Sequence, residues 1–157
     1  MERIIGIGEI AVSNRHEDII KTFSLASCVA VAVYCSVNGT AGMIHVALPE
    51  KGRLCCEFEN QPCYYAEQGV PLLIDKMCLE YNCPASGLEI ELFGGAESIR
   101  INDVFQIGRK NISVIKELLE DRNLKYKANE IGGRNSRTLI MNVSTGEKIV
   151  ICRPLII

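Results

Sequence analysis

A chain of 157 residues with 48% hydrophobic and 23% charged residues has the composition of a globular protein, and we expect a single domain over residues 1–157. Its net charge of −2, with no cluster of Lys and Arg, argues against binding to nucleic acid or to an anionic membrane surface. The N-terminus lacks the basic and apolar regions of a secretory signal, so the sequence favours a cytoplasmic protein whose eight cysteines are free thiols by default.

The first half of the chain is predicted to be mainly extended. Residues 3–12 form an Ile-rich segment, and a polar turn follows. Residues 22–49 contain no Asp, Glu, Lys or Arg, and a stretch of this length could span a bilayer. It contains several Ser and Gly residues, and Asn38-Gly39 lies between two apolar runs, which is typical of a hairpin. We therefore predict two buried strands, 29–34 and 41–48, and no insertion into a membrane.

Two helices and further strands are predicted in the second half. Apolar residues recur at helical spacing between Tyr64 and Tyr81, where Pro71 indicates a kink or a later start, and between 108 and 122. Strands are predicted at 88–93, 124–130, 138–143 and 148–151. About seven strands and two helices predict an α/β (α+β) fold, with mixed β-sheets packed as a sandwich and helices on the outer faces.

A candidate catalytic pair lies in the predicted hairpin. Of the two histidines, His16 occupies a polar turn, whereas His45 lies in an apolar strand, where it needs hydrogen-bond partners. Cys28 stands at the start of the preceding strand, and a thiol becomes a strong nucleophile when an imidazole removes its proton. The residues alone favour an ordinary buried cysteine and a hydrogen-bonded core histidine over a catalytic pair.

The spacing within the hairpin bears on this pair. A two-residue turn at Asn38-Gly39 would place Ala32 opposite His45. Cys28 and His45 would then share a face but lie about 13 Å apart along the strands, too far for a hydrogen bond. The pair therefore requires a longer turn, a different pairing of the strands, or a chain that folds back before residue 29.

The remaining cysteines do not predict a metal site. Cys55-Cys56 with Cys63, and Cys78 with Cys83, lack the two-residue spacing of zinc ligands. We expect reduced thiols there and no metal. The sequence also lacks a complete dinucleotide-binding glycine motif and a phosphate-binding loop.

An ordered set of motifs resembles the chemoreceptor glutamine deamidase family (CheD) over nearly the whole chain. Each motif is short, but together and in this order they are specific. The matching segments are Ile5-Gly6-Ile7-Gly8-Glu9, Thr22, Leu25-Ala26-Ser27-Cys28-Val29-Ala30-Val31, His45-Val46-Ala47-Leu48-Pro49, Tyr65-Ala66, Gly94-Gly95-Ala96, Ile107-Gly108 with Asn111, Gly132-Gly133 with Arg137, and Thr145-Gly146.

The resemblance implies a fold related to the cysteine-dependent deamidating toxins, and a reaction that converts glutamine side chains of chemoreceptors to glutamate without a cofactor. It implies that Cys28 attacks the amide, that His45 activates Cys28, and that Thr22 orients the histidine. Backbone N–H groups near Ser27 and Cys28 are expected to hold the oxyanion, which makes Ser27 a substrate-binding residue.

The resemblance also implies two protein partners: the cytoplasmic helices of a chemoreceptor (methyl-accepting chemotaxis protein) and a CheC-type phosphatase of the response regulator. A binding module that regulates such a phosphatase, with little catalysis of its own, is therefore an alternative function. A cysteine amidase acting on a small molecule is a further one. The intact set of Cys28, His45 and Thr22 favours an enzyme over a pure adaptor.

Overall fold

The computed structural model describes residues 1–51, 61–100 and 104–155. Within these ranges the elements are β1 (Glu2–Ile5), β2 (Ile10–Ser13), β3 (Ile19–Leu25), β4 (Val29–Cys35), β5 (Thr40–Val46), α1 (Ala66–Asp75), β6 (Leu88–Gly94), α2 (Ile107–Asp121), β7 (Lys127–Ile131), β8 (Asn135–Asn142) and β9 (Lys148–Pro154). A π-helical turn, Lys76–Glu80, extends α1.

The strands form two mixed sheets. A four-stranded sheet has the order β1-β3-β8-β9, and a five-stranded sheet has the order β2-β5-β4-β6-β7. β1 runs parallel to β3 and β6 parallel to β7, whereas the other pairs are antiparallel. The predicted α+β sandwich of mixed sheets is confirmed.

Two apolar layers hold the sandwich together. The layer between the sheets combines small residues of β4 with larger ones from the four-stranded sheet, such as Ile20, Leu139 and Met141. The other layer packs α1 and α2 against the outer face of the five-stranded sheet through Leu73, Ile115 and their neighbours. Both described helices therefore cover the five-stranded sheet, and the outer face of the four-stranded sheet has exposed residues such as Ile149.

The uncharged stretch forms the centre of the five-stranded sheet. Every residue of β4 and β5 is buried, because the helices cover one face and the other sheet covers the opposite face. The sequence-based prediction of two buried strands in this stretch is therefore confirmed. Within the described residues, no helix is long and apolar enough to cross a membrane.

The hairpin between these strands has a longer turn than the two-residue alternative. Cys35 pairs with Thr40, so residues 36–39 form a four-residue loop, closed by the Gly39 N–H donating to the Cys35 carbonyl oxygen at 2.9 Å. Gly39 has a φ of 70°, which suits glycine. Ala30, not Ala32, consequently lies opposite His45.

The strand count differs from the prediction at the N-terminus. Residues 3–12 contribute to two strands that belong to different sheets, because the chain turns at 6–9. Gly8 there has a φ of 79°, and the Gly6 N–H donates to Glu9 Oε1 at 2.9 Å. The sequence patterns do not predict β3 as a separate strand. The helix predicted from Tyr64 begins at Ala66 and contains Pro71 in its interior.

Candidate active site

Cys28 directly precedes β4, and His45 lies in β5 next to Val46, which pairs with Val29 at the start of β4. Ala30 is the cross-strand partner of His45, so these two side chains lie on the same face of the sheet. Within the described residues, no hydrogen bond joins the Cys28 thiol to His45 Nε2. The Cys28 side chain packs against the layer between the sheets.

His45 is held by a residue of the opposite sheet. Thr22 Oγ1 lies 2.7 Å from His45 Nδ1, and both residues are buried. The Thr22 hydroxyl donates its single proton to the Ile5 carbonyl oxygen at 2.9 Å. Nδ1 must therefore carry a proton and donate to Thr22, which leaves Nε2 unprotonated in the neutral ring.

The neutral imidazole is the stable form of His45 in the fold. Burial lowers the pKa of His45 to about 4, because the surroundings offer little solvation to a charged ring. Nε2 is buried and has no hydrogen-bond partner among the described residues. The ring therefore presents an available lone pair at neutral pH, which is the form a general base needs.

Cys28 is half-buried, and burial raises the pKa of its thiol, a shift that its own backbone N–H partly offsets. The thiol is therefore protonated at neutral pH. Both the Cys28 thiol and the His45 ring are thus neutral at rest.

The segment before β4 bends sharply and is held by the end of β6. The Gly95 N–H donates to the Cys28 carbonyl oxygen at 2.9 Å, and the Ala96 N–H donates to the Ala26 carbonyl oxygen at 2.7 Å. Gly94 has a φ of 106°, and a Cβ there would overlap the Cys28 carbonyl oxygen. Glycine at this position is therefore required by both conformation and close approach.

Two main-chain donors at this bend have no backbone acceptor in the part of the chain that the structure describes: the N–H groups of Ser27 and Cys28. Converging free N–H groups beside a nucleophile can stabilise an oxyanion. Donors near these two residues are expected from the sequence, and their role in holding an oxyanion stays a prediction. The carbonyl oxygens of the bend, not its N–H groups, are bound to β6 and its extension.

Asn111 is a residue of this site to which sequence reasoning assigns no role. It lies on α2, is fully buried, and its Nδ2 donates to the carbonyl oxygens of Ser27 at 2.9 Å and Ala47 at 3.0 Å. The available signal is its polar side chain on the otherwise apolar face of the predicted helix.

A cleft of about 850 Å³ opens beside the bend. Ala26 and Ser27 form one wall, and the first turn of α2 forms another. Its other lining residues include exposed apolar and charged side chains, among them Val104, Phe105, Arg109, Arg134 and Glu97. Arg109 and Glu97 form an ion pair of 2.9 Å at this cleft. Of the site residues, Ser27 lines the cleft, and Cys28 and His45 do not.

The described cysteines form no metal site. No group of three or more His, Cys, Asp or Glu with ligand-like geometry occurs among residues 1–51, 61–100 and 104–155. Cys63 and Cys83 are buried and Cys78 is half-buried, all against the apolar layer under the helices. Cys55 and Cys56 lie outside the described residues.

Comparisons with known proteins agree on one family. The family model described as "CheD chemotactic sensory transduction" matches residues 47–151. The "Probable chemoreceptor glutamine deamidase CheD" of Syntrophotalea carbinolica is 40% identical over 151 residues, which cover 95% of this chain and 93% of that protein. The "Chemoreceptor glutamine deamidase CheD" of Bacillus velezensis is 36% identical over 138 residues, covering 86% and 81%.

A solved structure shares the fold at low sequence identity. The Bacillus licheniformis hypothetical protein YfiH has a TM-score of 0.52 and 12% identity, covering 78% of this chain and 51% of that one. The fold and its buried side chains define a two-sheet α+β protein with a hydrogen-bonded Thr–His pair between the sheets and a half-buried cysteine just before β4. The chain belongs to the CheD family.

Proposed function

We propose that this protein is a hydrolase of linear amides that deamidates glutamine side chains of bacterial chemoreceptors in chemotaxis, as the names of its relatives indicate for those proteins. The observation that carries the proposal is the His45 ring, tied at Nδ1 to Thr22 and without a partner at Nε2 among the described residues, with the Cys28 side chain packed against the layer between the sheets. Cys28, His45 and Thr22 are the proposed catalytic set.

The first half of the reaction forms a thioester. As substrate binds, His45 Nε2 takes the Cys28 proton and the sulfur attacks the amide carbon of the glutamine side chain. The N–H groups of Ser27 and Cys28 hold the oxyanion of the tetrahedral intermediate. The carbon–nitrogen bond then breaks, and the imidazolium gives its proton to the leaving nitrogen, so that ammonia departs.

The second half releases the product. His45 takes a proton from water, and the resulting hydroxide attacks the thioester carbon. The carbon–sulfur bond breaks, the sulfur regains a proton from the imidazolium, and glutamate is released. Catalytic hydrogen bonds often shorten only when substrate is bound, so two neutral groups at rest are compatible with these steps.

The substrate is proposed to enter through the cleft next to Ser27. Glutamines on receptor helices are exposed side chains, and a helix can approach a cleft with an open, partly apolar wall more easily than a closed pocket. The proposal places the protein in the cytoplasm, because the modified region of the receptor is cytoplasmic.

The direct test is ammonia release from a receptor cytoplasmic fragment, with the glutamine-to-glutamate change located by mass spectrometry. Cys28→Ala should abolish the reaction, whereas Cys152→Ala, at an exposed cysteine on β9, should retain it. Both variants should keep the wild-type unfolding midpoint within a few degrees. Deamidation by Cys28→Ala at the wild-type rate would refute the assignment.

Binding to a CheC-type phosphatase is a second proposed interaction, which the family resemblance implies. The Cys28→Ala protein also separates the two functions. If it restores chemotaxis in cells that lack the wild-type protein, regulation of a phosphatase is the main role; failure to restore it supports deamidation. Release of ammonia from free glutamine at a comparable rate would favour a small-molecule amidase instead.

A further inference from the structure

The hairpin that carries Cys28 and His45 opens at the end where both residues lie. The last ladder pair is Val29 with Val46. Beyond it, the Cys28 carbonyl oxygen accepts from Gly95, and the Ala47 N–H donates to the Tyr64 carbonyl oxygen at 2.9 Å. The two segments beyond this pair are therefore hydrogen-bonded to different neighbours and not to each other, which leaves a gap between Ser27 and Ala47.

The Asn111 amide fills this gap from the helix side. Its one nitrogen donates to Ser27, just before the nucleophile, and to Ala47, two residues after the histidine. Because both neighbours are acceptors, the amide cannot be turned over without placing its oxygen against two oxygens. Asn111 Oδ1 has no partner among the described residues, so this side chain contributes hydrogen bonds through Nδ2 alone.

Close contacts near Asn111 fix the distance between α2 and the segment that follows β6. A Cβ at Gly108 would overlap the Ala96 carbonyl oxygen, and one at Gly95 would overlap Ile112. The helix therefore lies against the segment that holds the bend, and Asn111 cannot shift without moving that segment.

Holding the Ser27 carbonyl also determines where the Cys28 N–H points. Both groups belong to one peptide unit, which is planar and trans, so the N–H points opposite to the C=O. The carbonyl is bound from the α2 side of the sheet, whereas the Cys28 side chain packs on the inner side. The N–H is thereby directed away from α2, towards the side where the thiol lies.

We infer that Asn111 is a positioning residue that aims the Cys28 N–H as the oxyanion donor. The inference rests on the proposed Cys28 chemistry and adds a residue that does not touch the substrate. It separates two properties of the site: the reactivity of the thiol, which depends on His45, and the stabilisation of an oxyanion, which depends on Asn111 through the Ser27–Cys28 peptide.

These two properties are measured by different reactions at Cys28. Alkylation by iodoacetamide, followed at Cys28 by peptide mass spectrometry, needs the thiolate but forms no oxyanion. Cleavage of p-nitrophenyl acetate, corrected for the rate of Cys28→Ala, passes through a tetrahedral oxyanion and needs no receptor. Deamidation of the receptor fragment needs both the thiolate and the oxyanion donor.

The test variants are Asn111→Leu and Asn111→Asp, which are similar in size to asparagine and cannot donate to two carbonyls at neutral pH. We expect kcat for ester cleavage and deamidation to fall about 100-fold, with KM within a few-fold and the alkylation rate within about threefold of wild type. Ile115→Ala, at a buried residue of the same helix, is the control for lost packing and should keep kcat for both reactions.

The outcomes distinguish this inference from the proposed function. Selective loss of ester cleavage in the Asn111 variants, with no receptor deamidation by wild type, would uphold the inference and reject the substrate. Equal loss of alkylation and ester cleavage, or ester cleavage within about threefold of wild type in the Asn111 variants, would overturn the inference. So would the absence of any Cys28-dependent ester cleavage in wild type.

Discussion

The Thr22 hydroxyl decides which nitrogen of His45 can accept a proton. It is bound on one side to the Ile5 carbonyl oxygen and on the other to Nδ1, so it cannot donate to the ring. A histidine in the same apolar position without this partner would be free to carry its proton on Nε2, and it could not then act as a base towards Cys28. Orientation and protonation are thus controlled by one side chain.

Replacing Thr22 by Val tests this control. The variant keeps the shape but leaves the Nδ1–H buried and unpaired, so unfolding should become easier by about 1–3 kcal/mol. kcat for deamidation should fall at least about 100-fold, since the base is lost or misdirected. Thr22→Ser, which keeps the hydroxyl, should retain most of the activity in the same ammonia assay. Equal activity of the Val and Ser variants would show that the hydroxyl has no such role.

The low pKa of His45 predicts a pH-dependent stability. The unfolded chain binds the proton near pH 6.5 and the folded protein only near 4, so the free energy of unfolding should fall as pH falls between these values. The full effect of this shift is about 3 kcal/mol. Below about pH 4 both states are protonated at this residue, and its contribution to the slope ends.

Urea unfolding at several pH values checks this expectation, with His45→Gln as the control that lacks the titrating ring. Protonation of Asp18 lowers the free energy of unfolding further at lower pH, because the Ser13 hydrogen bond and Arg3 hold the pKa of its carboxyl below the usual value. The difference between wild type and His45→Gln should therefore be confined to the window from about 6.5 to 4. Parallel curves for the two proteins would contradict a neutral buried histidine.

At the level of elements, the end of β6 supports the bend that carries Cys28. Gly94 and Gly95 both have positive φ, and the Gly94 Cα and the Gly95 N–H approach the Cys28 carbonyl closely. The end of β6, the bend and α2 therefore approach each other closely, and a Cβ at Gly94, Gly95 or Gly108 would overlap a neighbouring atom.

Gly94→Ala is expected to be much more damaging than Gly132→Ala. Both glycines have positive φ, but a Cβ at Gly132 has no atom within 4 Å. Gly132→Ala should therefore show only conformational strain of about 1–2 kcal/mol. Gly94→Ala adds an overlap with the Cys28 carbonyl oxygen, which should destabilise by about 1–3 kcal/mol more and lower kcat. Thermal unfolding and the ammonia assay measure both effects, and equal stability losses would argue against the close approach.

At the level of the whole molecule, the two sheets differ in how they are covered. Leu139 lies between the sheets and is fully buried, whereas Ile149, on the neighbouring strand, faces outwards and is 53% exposed. Leu139→Ala should therefore reduce the free energy of unfolding by about 2–5 kcal/mol. Ile149→Thr should change it by less than about 0.5 kcal/mol. Urea unfolding of both variants tests whether the outer face is free of packing; a similar loss for both would mean that it is covered.

Much of this architecture follows from local patterns, and the rest depends on distant contacts. Continuous apolar runs predict β4 and β5, and helical spacing predicts α1 and α2. The turn between β4 and β5 is not predictable in this way, because Asn38 does not act locally: its side chain donates to the Tyr81 carbonyl oxygen at 2.9 Å. That contact, 43 residues away, accompanies a four-residue loop in place of the tight turn that Asn-Gly favours.

The candidate site is predictable in its residue types but not in its geometry. Cys28 and His45 can be singled out from chemistry and from the family resemblance. The longer loop shifts the register so that Ala30, not Ala32, faces His45. The role inferred for Asn111 requires knowledge of how α2 packs against the bend, and no periodicity contains that information.

The hydrogen bond between Thr22 and His45 joins the two sheets, and Thr22 itself is flanked by β1 and by β8. A ribosome must therefore deliver almost the entire chain before the histidine can acquire its orienting partner in a paired strand. Truncated chains that stop before Asn135 should release no ammonia, even though they already contain Cys28, His45 and Thr22. The orientation of His45 is thus a property of the assembled two-sheet fold, and the hairpin of β4 and β5 alone cannot supply it.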